Sequence, residues 1–138
     1  RATESDIEAI ISVDHVAAHD ENRRRHICEW VSGGITIVAV VDGAMVGYAV
    51  LEYTFFSQGF ISMLIVAEAS RRKGVGTALV SHLEEICKTG KLFTSTNESN
   101  EPMQALMQSM SYEPSGTVYN LDEGDPELFY VKKLNGNR

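Results

Sequence analysis

A chain of 138 residues with 43% hydrophobic content is long enough to bury one core, and residues 1–138 are read as a single domain. Its formal net charge of −7 argues against general nucleic-acid binding, which depends on neutralising phosphates. No apolar run approaches the roughly 20 residues that span a bilayer, and Cys28 and Cys87 form no CxxC pair and suggest no disulfide framework, so a cytoplasmic setting is the default.

Thr3-Glu4-Ser5-Asp6 predicts a helix start with Thr3 as its cap. Ile7, Ile10, Ile11 and Asp14 then fall on one helical face. A second helix is predicted over 21–31, stopped by Gly33-Gly34. Its Arg23-Arg24-Arg25 run is either an exposed helix face or a site for an anionic group. Residues 35–41 form a β-branched run, Asp42-Gly43 signals a hairpin turn, and strands follow over 45–55 and 61–66. The last two are apolar on most positions of both faces, which predicts a central sheet covered by helices on each side. An amphipathic helix over 78–87, a strand over 91–96 and a helix over 100–110 come next. Pro102 is tolerated in the first turn of that last helix. Two final strands, 117–121 and 128–133, are joined by Asp122-Glu123-Gly124-Asp125-Pro126. The order is ααβββαβαββ, without repeats or linkers, and a strand ahead of the first helix is expected to be missing.

The stretch that carries most information is Arg71-Arg72-Lys73-Gly74-Val75-Gly76-Thr77, set between the strand over 61–66 and the helix that follows. Glycines let the backbone approach a ligand and adopt torsions that a Cβ forbids. A helix start presents unpaired N–H groups and the positive end of the helix dipole. With two arginines and a lysine beside it, such a turn suits a phosphate or pyrophosphate. It is not a nucleotide-binding Walker loop, because Lys73 precedes the glycines. It is not a dinucleotide fingerprint, because Gly74-Val75-Gly76 lacks a third glycine three residues on.

The pattern Arg/Gln-x-x-Gly-x-Gly/Ala after a strand ending in Leu-x-Val resembles the acetyl-CoA loop of the GNAT N-acetyltransferase family. Residues 61–79 match that family's central motif almost position by position. Residues 97–112 resemble its next motif, with Asn100, Leu106 and Tyr112 at the matching places. The resemblance covers nearly the whole chain. It implies an α/β fold with a central mixed, mostly antiparallel sheet flanked by helices.

It also implies acetyl-CoA as co-substrate, no metal, and transfer of an acetyl group to a primary amine, with a small molecule as the default acceptor. Many such proteins pair as homodimers, but no residue here marks the surface. In the family the central strand splays from its neighbour and the pantetheine arm lies in the gap. The resemblance assigns those main-chain contacts to Leu64, Ile65 and Val66. It sets Arg71, Arg72, Lys73, Gly74, Val75, Gly76 and Thr77 around the pyrophosphate. Asn100 would contact the arm or orient the last helix. The alternative class is a module that binds acyl-CoA and transfers nothing.

The transfer needs a proton removed from the ammonium, a polarised carbonyl, and a proton returned to the thiolate. A main-chain N–H near Val66 can polarise the carbonyl. Many relatives carry the returning acid as a Tyr seven residues after the helix Asn. Here that position is Met107, whose thioether has no proton, so Tyr112, Tyr119 or solvent is left for the task. Some relatives carry the base as a Glu on the central strand, where this chain has Ser62. The nearest carboxylate in sequence is Glu52 on the adjacent strand, which either serves the site or faces solvent. Asp122, Glu123, Asp125 and Glu127 either attract a cationic amine or form a solvated turn. Phe55, Phe56 and Phe60 are read as core or as a cleft wall. Met103, Met107 and Met110 follow helical core spacing, with Met107 expected at the thiol end of the cleft. Cys87 is read as a packed thiol, and His26 as a surface imidazole. His15, His19, His26 and His82 lack metal-ligand spacing with the cysteines.

Overall fold

The computed structural model describes residues 1–33 and 35–135; Gly34, half of the predicted helix stop, lies outside them. A short 3-10 turn over Glu4–Asp6 leads into α1 (Ile7–Val13), and the Thr3 N–H donates to Asp6 Oδ2 at 2.8 Å. Helix α2 (Glu21–Gly33) starts at Asp20, whose Oδ1 accepts from the N–H groups of Asn22 and Arg23 at 2.8 and 3.2 Å. Then come β1 (Ile35–Val41), β2 (Ala44–Phe55), β3 (Gln58–Val66), α3 (Val75–Ile86), β4 (Lys91–Asn97), α4 (Glu101–Ser109), β5 (Glu113–Val118) and β6 (Glu127–Lys133).

The predicted order of helices and strands holds, but one strand moves. The first strand of the last hairpin begins at Glu113 rather than at 117, and Tyr119 and Leu121 lie beyond its end, 67% and 64% exposed. Pro114 and Gly116 disguise the strand in sequence. They are accommodated because β5 is the outermost strand, with a register shift between these two residues. Edge positions and bulges are where a sheet admits proline.

The six strands form one sheet in the order β1-β2-β3-β4-β6-β5. Only β3 and β4 run parallel; every other neighbouring pair is antiparallel. Successive residues of β2 point to opposite faces, and both faces are covered. Ala49 and Leu51 join Leu79, Val80 and Leu83 of α3 and Met107 of α4. Tyr48 and Val50 join Ile10 of α1 and Ile27 of α2. This explains why β2 reads as apolar throughout rather than alternating. Gly47 lets α3 close on the sheet: a Cβ there would lie 2.7 Å from the Ile65 carbonyl oxygen and 3.3 Å from Val75 and Leu79 side chains.

The helix pair is keyed to the sheet by a buried carboxylate. Asp14 ends α1 and has no exposed surface. It accepts from the Tyr48 hydroxyl at 2.6 Å, Arg23 Nη1 at 2.7 Å, and the N–H groups of Val16 and Ala17 at 3.0 and 3.3 Å. Burial by itself would raise its pKa. The hydrogen bonds from Tyr48 and Arg23, the guanidinium charge and the Ala17 N–H together hold it below the ordinary 3.8. The same site uses up the arginine run. Arg24 donates to the carbonyls of Ala17 and Ala18 at 2.7 and 3.0 Å, and Arg25 to Asn22 Oδ1 at 2.9 Å. Arg23 and Arg24 are thus engaged in tying α2 to the chain before it rather than in holding an anion, while Arg25 stays on the exposed face of α2 beside Asn22 and Glu29.

A carboxylate with a lowered folded pKa stabilises fully above its unfolded value and loses that contribution as pH falls through the folded one. Asp14→Asn should thus lower unfolding free energy at pH 7 by about 2–3 kcal/mol, a figure moderated by the solvent access of Arg23. Denaturant titrations of the two proteins should draw together as pH falls below 3.8 and through the lowered folded value. A constant difference across the acid range would show that the charge is not what matters.

Candidate active site

The site is built on an interruption in the middle of the sheet. Between β2 and β3 the register runs Val50↔Met63 and then Leu51↔Ile61, so Ser62 is an extra residue and β3 is bulged there. On its other edge β3 pairs with β4 only through Gly59↔Leu92, Phe60↔Phe93 and Ile61↔Thr94. Both strands continue, β3 to Val66 and β4 to Asn97. Beyond Ile61 they diverge, and a fork opens towards their C-terminal ends. Its apex is pinned by Thr94, whose hydroxyl donates to the Ile61 carbonyl at 3.0 Å. Leu64, Ile65 and Val66 pair with β2 on one edge and have no β4 partner on the other, so that edge of β3 faces the gap.

The basic glycine loop stands at the mouth of the fork. After β3 the chain makes a 3-10 turn over Glu68–Ser70, and Arg71 Nε donates back to the Val66 carbonyl at 3.3 Å. Arg72 and Gly74 both take left-handed torsions, φ 65° and 83°. Gly74 is the residue before α3, and no side chain caps the helix. Arg71, Arg72, Lys73 and Thr77 are exposed. Gly76 faces α4: a Cβ there would be 3.3 Å from Leu106 and 3.9 Å from Val66. The start of α3 is thereby held between the end of β3 and the flank of α4, next to the gap. Asn100 caps α4 by accepting from the Met103 N–H at 3.2 Å, so it orients that helix.

Glu52 does not face solvent at a strand end. It lies half-buried within β2 and accepts a short hydrogen bond from the Ser62 hydroxyl at the bulge. The two positions that the sequence offered separately for a carboxylate therefore meet in one pair. A second pair was not foreseen. Glu127 belongs to β6 rather than to the acidic turn, and its Oε2 accepts from the Ser95 hydroxyl of β4 at 2.7 Å. Two members of the turn are also engaged. Asp122 accepts from Asn97 Nδ2 at 2.8 Å, and Asp125 from the Ser99 N–H and hydroxyl at 3.0 and 2.6 Å. Only the cross-strand register of β4 and β6 brings these residues together, and no local motif announces it.

The other proposed groups stand apart. Tyr112 is buried in the core on the α3 side of the sheet, and its hydroxyl donates to Glu84 Oε2 at 2.7 Å, beside Lys132. Burial first, and then Glu84, push its pKa up. Glu84 lies in the C-terminal half of α3, so this contact already occupies the hydroxyl that the sequence offered as the thiol's acid. Tyr119 is exposed beyond the end of β5. Met107 has no exposed surface and packs in the core rather than lining an open cleft. Cys87 is buried, as its reading as a packed thiol requires, and His26 is exposed 5.6 Å from the Trp30 ring. Among the described residues no group of three or more His, Cys, Asp or Glu side chains could hold a metal ion. No helix among them is long and apolar enough to cross a membrane.

Residues 5–112 match the profile of the acetyltransferase (GNAT) family. The fold superposes on that of a GNAT-family acetyltransferase from Bacillus cereus with a TM-score of 0.92, at 33% identity over 99% of this chain and 96% of that one. A ribosomal-protein-alanine N-acetyltransferase from Brucella melitensis aligns with a TM-score of 0.78 at 25% identity, over 96% of this chain and 97% of that one. A Salmonella typhimurium structure solved with acetyl-CoA as its cofactor shares the fold at 18% identity and a TM-score of 0.75, over 97% and 91% of the two chains. No protein of curated function matches the chain.

Gly74 needs its left-handed torsion to aim the loop. Gly74→Val should lower stability by about 1–2 kcal/mol, and Gly74→Asn by less, because Asn tolerates that region. Equal losses in urea unfolding would mean that the loop relaxes to another conformation.

Proposed function

Since the chain belongs to the GNAT acetyltransferase family, we propose that it moves the acetyl group of acetyl-CoA to the primary amine of a small molecule by direct attack, with no metal. The observation that carries this reading is the fork between β3 and β4 with an uncapped, basic helix start at its mouth. A pyrophosphate suits the N–H groups of Gly74, Val75, Gly76 and Thr77, with Arg71, Arg72 and Lys73 supplying charge. A pantetheine arm carries amides, and the open edge of Leu64, Ile65 and Val66 can pair with them as with an added strand. Asn100 serves by setting the position of α4 along the gap. The relative with acetyl-CoA as its cofactor supports the choice of ligand.

For the chemistry, Glu52 is the base. Held by Ser62 where the fork begins, its carboxylate takes a proton from the acceptor ammonium, directly or through one water. The neutral nitrogen then attacks the thioester carbon, and its oxygen is stabilised by a main-chain N–H of β3 near Val66. The C–N bond forms, the C–S bond breaks, and the nitrogen gives up its second proton to solvent. The departing thiolate is protonated from solvent, since Tyr112 is engaged by Glu84 and Tyr119 is exposed beyond the end of β5. Binding without transfer is the second reading, favoured by the buried Met107 at the position where a hydroxyl is common.

Mass spectrometry of products formed from acetyl-CoA and a mixed amine panel separates the two: a protein-dependent gain of one acetyl group is expected. Gly76→Glu should abolish acetyl-CoA binding in calorimetry, because a carboxylate would enter the phosphate site and press on Leu106. Unchanged affinity would remove the loop assignment. Glu52→Gln should leave that affinity intact and lower kcat about 100-fold or more. A kcat within a few-fold of the parent would mean that the base lies elsewhere.

A further inference from the structure

The sheet face opposite α3 is only partly covered. The cluster under α1 and α2 takes Tyr48, Val50, Val38, Met63 and Ile65, and no residue of β4 or β6. The rest of that face carries a floor of phenylalanines. The ring of Phe55 lies 4.9 Å from Phe60, 5.2 Å from Phe93 and 5.6 Å from Phe129, which it stacks upon. All four rings are half-buried, and Phe56 at the adjoining turn is 85% exposed.

Strand register sets this floor against the two serine–glutamate pairs. Glu52 is the cross-strand partner of Phe60, and Ser95 that of Phe129. Cross-strand partners share a face. The carboxylates of Glu52 and Glu127 therefore stand on the same face as the rings, one on each side of the fork. Their serines, Ser62 and Ser95, are the first residues past the last β3–β4 pair, Ile61↔Thr94.

We propose that this face seats the acceptor, and that the acceptor is a primary amine carried on an apolar, aromatic body. The inference rests on the acetyl-transfer reading above and names its substrate class. The ring of the acceptor packs on Phe60 and Phe129, and its ammonium lies between Glu52 and Glu127 at the fork. Glu127 is thus a binding residue, oriented by Ser95. Aromatic rings prefer such offset stacking, and two oriented carboxylates complement one cation. A sugar-like or polycationic acceptor would cover the rings with groups that lose water without gaining partners. A second copy of the chain fits worse. A two-fold contact on this face sets like carboxylates against each other, in a protein of net charge −7.

The test is initial-rate kinetics on the full chain at saturating acetyl-CoA, with phenethylamine, ethylamine, spermidine, an aminoglycoside and a short peptide as acceptors. Phenethylamine should exceed each of the others in kcat/KM by about tenfold or more, the factor expected for burying one ring. Phe129→Ala should raise the phenethylamine KM about tenfold, with Phe129→Leu between the two as a control for folding. Glu127→Gln should raise the amine KM and leave that of acetyl-CoA unchanged. Equal or better turnover of spermidine, the aminoglycoside or the peptide would overturn the assignment while leaving acetyl transfer standing. So would an unaltered amine KM in Phe129→Ala accompanied by loss of a dimer in sedimentation, which would make the face a subunit interface. Acetyl-CoA binding with no transfer to any amine would instead remove the acetyl-transfer reading, and this one with it.

Discussion

The parallel junction of β3 and β4 is held by three residue pairs, and the functional architecture follows from where it stops. An antiparallel ladder would carry the strands to their ends. Here the bulge at Ser62 bends β3 away from β4 just as the pairing ends. A strand edge in the centre of a sheet is normally satisfied by its neighbour. Leaving one open creates a slot whose walls are main-chain donors and acceptors, suited to a ligand that carries amides of its own. Past the end of β3 the start of α3 meets Leu106 of α4.

Holding such a gap open requires rigid flanks. On one face, α3 packs through Leu79, Val80 and Leu83 against Ala49 and Leu51 of β2, and Gly47 allows it to come close. On the other, Asp14 fastens the α1–α2 connection to Tyr48 of the same strand. The middle of β2 is buried on both sides and serves as the reference from which β3 diverges. Glu52 lies three residues beyond Ala49 on this strand, so the proposed base inherits the stiffness of the most deeply buried element.

How much of the site is legible depends on how local its causes are. The turn over 71–77 into α3 is legible because a glycine turn before a helix is made by consecutive residues. Asn100 reads as a helix start for the same reason, and its capping bond to Met103 is local. Arg23 and Arg24 read as an anion site or an exposed helix face because their partners, Asp14 and the carbonyls of Ala17 and Ala18, become neighbours only when the chain turns between α1 and α2. Glu127 reads as part of an acidic turn, yet β6 begins at that residue, and its partner Ser95 is on a different strand. Tyr112 reads as a catalytic hydroxyl from its place in a motif, while its contact with Glu84 depends on packing across the core.

The sequence by itself determined the order of helices and strands, the two-sided burial of β2 and the basic glycine turn ahead of α3. These follow from periodicity, turn chemistry and glycine placement within short windows. It also carried the family likeness. The tertiary structure alone decided that Glu52 and Ser62 form one unit, that Glu127 and Ser95 mirror them across the fork, and that Phe55, Phe60, Phe93 and Phe129 make a common floor. The physical reason is register. Which residues of distant strands share a face is set by a bulge at one residue and the three pairs beside it, and a one-residue slip would turn every one of these side chains to the opposite side.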